Sequence, residues 1–154
     1  MSVSGRSWLR AGLVAAVIVA FDQFTKALVR ADITPGEEKR ILSFLDLVYV
    51  RNEGVAFGRF GGGGVIVVVI VALALTALFI YFATHIEQPL IWLPTGLLLG
   101  GAIGNVIDRV RLGAVTDFVK FPHFPAFNVA DSAITIGVIV LLVVIERAPD
   151  RKDD

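Results

Sequence analysis

The stretch from Gly61 to Ala83, "GGGGVIVVVIVALALTALFIYFA", carries no charged residue. Its core "VIVVVIV" would suit a buried strand in a water-soluble protein, but strands run to about 8 residues and this run is far longer. About 20 apolar residues at about 1.5 Å rise each span a bilayer as a helix. Three further segments meet that length: about Trp8 to Val29, about Pro89 to Ile107 and about Phe127 to Ile145. The chain thus reads as an all-α integral membrane protein with four transmembrane helices and both termini on one side. Charged residues make up only 18% of the 154 residues, against about 25% in soluble domains. A cytosolic enzyme is excluded by the uncharged run.

Other classes fall away by inventory. Net charge is zero, which gives no footprint for nucleic acid. There is no cysteine and there are only two histidines, His85 and His123, so thiolate sites, Cys nucleophiles and His-based metal centres are not expected. Arg6, Arg10 and the short apolar core after them resemble a signal peptide, but no small-x-small cleavage site follows. Lys and Arg near the span ends number five on the side of the termini and seven on the other, so charge does not set the orientation.

The first loop, about 31–60, contains "FLDLVYVRNEG", whose β-branched and aromatic residues predict a strand or two at the membrane interface. Gly96, Gly100 and Gly104 recur at four-residue spacing, with Gly101 beside them. Such a stripe lets another helix approach closely, and Pro94 is expected to kink the same helix.

Ionisable residues near span ends are the informative ones. Asp22 and Lys26 stand one turn apart and can pair. Asn105 and Arg109 sit likewise, with Asp108 between them. Asp117 and Asp131 lack a helical-spacing cation of their own, although Asn128 or Asp131 could simply cap the last helix. Two carboxylates brought together cannot easily both ionise, so they are expected to share a proton. One then serves as base toward water and the other as acid, with neither metal nor covalent nucleophile. Phe118, Phe124 and Phe127 are expected to desolvate one of the pair.

The blocks "FDQFTK" (21–26), "RNEGVAFG" (51–58), "GGAIGNVIDRV" (100–110), "VTDFV" (115–119) and "FNVADSAITIG" (127–137) resemble lipoprotein signal peptidase, or signal peptidase II, in order and over most of the chain. The resemblance implies an aspartic endopeptidase of the bacterial inner membrane, cofactor-free and monomeric, with cytoplasmic termini and its site near the extracytoplasmic face. The substrate would be a prolipoprotein carrying diacylglycerol on its cysteine, cut just before that cysteine. Asp117 and Asp131 match the catalytic pair. Asn52, Gly54 and Ala56 match a first-loop motif, while Asn105, Asp108, Arg109, Asn128 and Ala130 match positions that shape the site. Asp22 and Lys26 match a structural pair on the first helix, and the strand-rich first loop matches an extracytoplasmic β-cradle. Two other classes compete: a small transporter or channel subunit with Asp, Lys and Arg along an ion path, and a purely structural subunit dimerising through the glycine stripe. The transporter lacks the expected internal repeat, and the structural subunit leaves Asp117 unexplained.

Overall fold

In an apolar medium every backbone N–H and C=O must find its partner within the protein, and the described apolar runs of this chain do so as helices. A computed structural model describes residues 2–54, 73 and 76–147. Along the chain come α1 (Val3–Asp32), β1 (Glu38–Leu42), β2 (Leu45–Asn52), α2 (residues 76–84), α3 (Trp92–Leu112), β3 (Val115–Lys120) and α4 (Val129–Glu146). Most of the uncharged 61–83 run, including Gly61–Gly64, lies outside the described residues, as does Ala56.

Among the described residues, α1 and α4 are long and apolar enough to cross a membrane, with mean hydropathies of 1.6 and 2.3. A soluble core helix of that composition would be mostly buried, yet only 17% of each window is. Leu9, Leu13, Val17, Phe21, Phe24 and Leu28 form an exposed apolar stripe along α1, and Ile136, Ile139, Leu142 and Ile145 do the same on α4. Faces of this kind suit lipid and not water.

The glycines of α3 set the packing. Gly96 lies against Ala11 and Val14, Gly100 against Ala15 and Ile18, and Gly104 against Asp22, so α1 and α3 run parallel. Gly101 and Gly104 also meet Ala130, while Leu97 and Leu98 meet Gly137, so α4 runs back the other way. Trp8 of α1 meets the Phe79 and Phe82 rings of α2, at centroid distances of 5.4 and 4.6 Å. The C-terminal end of α2 therefore lies beside the start of α1, and Val3 and Glu146 share one end of the bundle.

At the opposite end sits an antiparallel sheet in the order β1-β2-β3. Its third strand comes not from the first loop but from residues 115–120. Asp117 therefore belongs to a strand paired with β2, opposite Val50. Val29 of α1 and Ile33, its C-cap, pack with Phe118 beneath this sheet. Two further differences concern α3, which begins at Trp92 instead of Pro89 and runs on to Leu112. Pro94 falls in its first turn, where the missing N–H had no intrahelical partner to lose, so it starts the helix instead of kinking it.

A methyl group at Gly101 would stand 2.5 Å from the Ala130 carbonyl oxygen, a backbone atom that cannot swing away. Gly101→Ala is expected to destabilise the protein by about 1–3 kcal/mol, as overpacking does. Gly12→Ala, with nothing within 4 Å, should leave stability unchanged or slightly raised. Thermal unfolding in detergent checks both, and equal melting temperatures for the two variants would contradict the packing.

Candidate active site

The site forms where α1 and α3 end and α4 begins. A helix that starts inside a protein needs partners for its first N–H groups. Here Asn128 is the N-cap: its side-chain oxygen accepts from the Asp131 N–H at 2.9 Å, and Asp131 Oδ2 accepts from the Asn128 N–H at 3.2 Å, a reciprocal capping box. The next N–H, that of Ala130, donates to Asp22 Oδ1 of α1 at 2.9 Å. Capping and site-building are thus one arrangement in this segment.

Asp117 and Asp131 are joined through asparagines. Asn128 Nδ2 donates to Asp117 Oδ1 at 2.7 Å, and Asn105 Nδ2 donates to Asp131 Oδ1 at 2.8 Å. Asn128 Nδ2 also lies 3.2 Å from Asn105 Oδ1, closing the link. The second oxygen of Asp117 accepts from Asn52 Nδ2 at 2.9 Å. Asn52 stands opposite Val115 in the sheet, so it reaches Asp117 as the diagonal neighbour on the same face. Its own oxygen accepts from the Gly54 N–H, a tight turn in which Gly54 takes a φ of +74° that favours glycine. Among the described residues no bond joins the two carboxylates directly. Each carboxylate oxygen accepts an N–H, and amide bridges link the pair.

Behind the asparagines lies a buried ionic layer. Lys26 and Asp22 are fully buried and pair at 2.8 Å, and Lys26 also reaches Asn105 Oδ1 at 2.9 Å and Asp108 Oδ2 at 3.5 Å. Asp108 accepts the Thr116 N–H at 2.9 Å, which ties α3 to β3 one residue before Asp117. Two members of this layer, Gln23 and Arg30, escaped the sequence reading. Gln23 donates to Asp22, Asp108 and the Gly104 carbonyl, while Arg30 donates to Thr116 Oγ1 at 3.1 Å and stands 3.8 Å from Asp108. Arg30 was discoverable, since it lies one turn beyond Lys26 on the same face of α1. Arg109, by contrast, joins none of the network's bonds among the described residues, and Arg30 occupies the place beside Asp108.

Two cavities open here. One of about 440 Å³ is lined by Phe124, Pro125, Ala126, Phe127, Asp131, Ser132, Thr135 and Ile136, and is mainly apolar. The other, of about 470 Å³, has Asp117 in its wall with Asn52, Arg51, Glu37, Glu38 and Lys120. Residues 124–126 line both, so a chain crossing from one to the other passes both aspartates. Phe124 and Phe127 line the cavity beside Asp131, whereas Phe118 turns to the other face of its strand and packs on α1. Among the described residues no three His, Cys, Asp or Glu side chains converge as a metal would require.

Burial pushes the Asp117 carboxyl up from its ordinary value of 3.8 to about 6. The Asn52 amide pulls it down, the Asp131 charge pushes it up, and the Asn128 amide and Lys26 charge pull it down. Near neutral pH this carboxyl can both hold and release a proton.

Comparison with known proteins finds relatives over most of the chain. The chain matches the family model described as Signal peptidase (SPase) II over residues 14–146. It is 40% identical over 146 residues to the lipoprotein signal peptidase of Chlorobium phaeobacteroides (strain BS1), spanning 85% of this chain and 92% of the relative. It is 38% identical over 158 residues to that of Desulforapulum autotrophicum, spanning 94% and 98%. A solved structure described as a bacterial membrane enzyme superposes with a TM-score of 0.80 at 34% identity, covering 90% of this chain and 93% of the other.

The folded value of Asp117 lies above its unfolded one. Its neutral form therefore favours the fold, a contribution present in full below pH about 3.8 and lost as pH rises through about 6. Asn52→Ala removes a donor that favours the ionised form. The Asp117 titration midpoint is expected to move above about 6, followed by carboxyl ¹³C NMR; an unchanged or lower midpoint would contradict the role given to Asn52.

Proposed function

The chain belongs to the signal peptidase II family, and from that premise we propose that it is an aspartic endopeptidase of the bacterial inner membrane. It removes the signal peptide from prolipoproteins whose cysteine carries diacylglycerol, cutting before that cysteine. The observation that carries this reading is the amide-bridged pair: two carboxylates from different segments, Asp117 and Asp131, held on one framework by Asn105 and Asn128.

The chemistry follows from the two acids. Asp117, raised to about 6, is the one that holds a proton, and Asp131 acts as base. Asp131 takes a proton from water as its oxygen attacks the scissile carbonyl carbon, while Asp117 gives its proton to the carbonyl oxygen, forming a gem-diol. Asp131 then protonates the amide nitrogen, and Asp117 recovers a proton from one diol hydroxyl. The C–N bond breaks, a carboxylic acid and a free amine leave, and the dyad returns to its starting state. Neither metal nor covalent intermediate enters.

The apolar cavity beside Asp131 lies against α4, where the lipid-bearing part of the substrate can remain near the bilayer. The cavity beside Asp117 opens among polar residues of the sheet and suits the polypeptide that leaves the membrane. In this proposal four helices span the bilayer, the shared end of α1 and α4 faces the cytoplasm, the dyad lies near the extracytoplasmic face, and the protein works as a monomer. Asn52 and Gly54 border the site from the first loop. Asn105, Asp108, Asn128 and Ala130 shape it, as does Arg109 through substrate.

Purified protein is expected to cleave a diacylglyceryl-modified prolipoprotein and to leave the unmodified form intact, as product mass shows. Asp117→Asn and Asp131→Asn should stay folded while losing turnover by at least about 10³-fold, in line with the loss of an essential catalytic group. Normal cleavage by either variant would sink the dyad, and no cleavage by wild type would favour the ion-path reading. A reporter fused after Asp154 should be active in the cytoplasm; activity outside would reverse the topology.

A further inference from the structure

The whole chain contains three asparagines, Asn52, Asn105 and Asn128, and each donates its side-chain NH₂ to one of the two aspartates. An amide can turn over and present oxygen instead, which would set two acceptors against each other at the carboxylate. What prevents the turn differs among the three. The Asn52 oxygen is held by the Gly54 N–H and the Asn128 oxygen by the Asp131 N–H, both backbone donors. The Asn105 oxygen is held by the Lys26 ammonium at 2.9 Å. An ammonium has three donors and no acceptor, so the NH₂ of Asn105 cannot face it. Asn128 Nδ2, a second donor at 3.2 Å, blocks the turn from the other side.

We propose that Lys26 is a positioning residue for the reaction, fixing the Asn105 amide so that it always donates to Asp131. Resting on the peptidase reading, the assignment gives Lys26 a task beyond pairing with Asp22. It does for Asn105 what main-chain N–H groups do for the other two amides. Being fully buried, the ammonium has no water to exchange for the amide oxygen. Asp22 and Asp108 hold it in place without competing for Asn105. Lys26 bonds to neither carboxylate of the pair among the described residues, so its positioning contact runs through Asn105, beside the charge it exerts on Asp117.

Two measurements test this. The chain has four lysines, 26, 39, 120 and 152, and three asparagines, so ¹⁵N-lysine, ¹³C-asparagine wild-type protein in bilayers gives a sparse solid-state spectrum. A dipolar cross-peak between Lys26 Nζ and Asn105 Cγ is expected, and its absence overturns the proposal. Replacing the buried pair by a neutral one, Asp22→Asn with Lys26→Met, avoids leaving Asp22 without its cation. This double variant should keep KM for the lipidated prolipoprotein within about twofold while kcat falls about 100-fold, the scale of a misplaced catalytic group. Unchanged kcat, or a loss confined to KM, overturns the positioning role. Should the double variant fail to fold, the wild-type cross-peak decides alone. Wild-type protein that cleaves nothing sinks the peptidase reading and the role with it. The cross-peak still reports the contact by itself, so the two failures are distinguishable.

Discussion

A helix that begins within the protein presents bare N–H groups, and the start of α4 is the point on which the rest of the structure depends. Its first N–H groups are met by Asn128, by Asp131 and by Asp22 from the far-removed α1. The Asp22 bond is possible only because α1, α3 and α4 pack backbone to backbone, and that closeness requires hydrogen in place of a side chain at Gly101 and Gly104. Helix packing, helix capping and placement of the two carboxylates are therefore a single problem with a single solution.

The buried charges follow from the same arrangement. Removing Asp22 and Lys26 from water is expensive unless each finds several partners. Asp22 has the ammonium, Gln23 and the Ala130 N–H; Lys26 has two carboxylates and an amide oxygen. With these groups satisfied, the layer in front of them needs no charge of its own, and it consists of neutral amides. Donors that carry no charge can approach both aspartates without cancelling the one negative charge that general-base chemistry needs.

Much of this was legible before any coordinates. The first and last apolar segments, the strands after the first helix and the Asp22–Lys26 pairing each follow from period, length and spacing, and helices, strands and ion pair stand there among the described residues. The third strand was not legible: "VTDFVK" is short, and only its pairing with β2 distinguishes it from loop. Arg109 was assigned to the site by resemblance; one helix position after Asp108, it points about 100° away from it and joins none of the network's bonds among the described residues. Arg30 stands one turn beyond Lys26 and was visible as a candidate in the sequence, although its partner Asp108, on another helix, was not. The amide bridges were hidden for a similar reason, since each joins residues at least eleven positions apart.

Only Gly113 and Ala114 lie between α3 and β3, and Gly113 ends the helix with a φ of +74°. A side chain's face on a strand alternates with every residue, so one inserted residue there would turn Asp117 toward the bundle and Thr116 toward the cavity. The α3–β3 junction thus acts as a counting device that does not admit insertion.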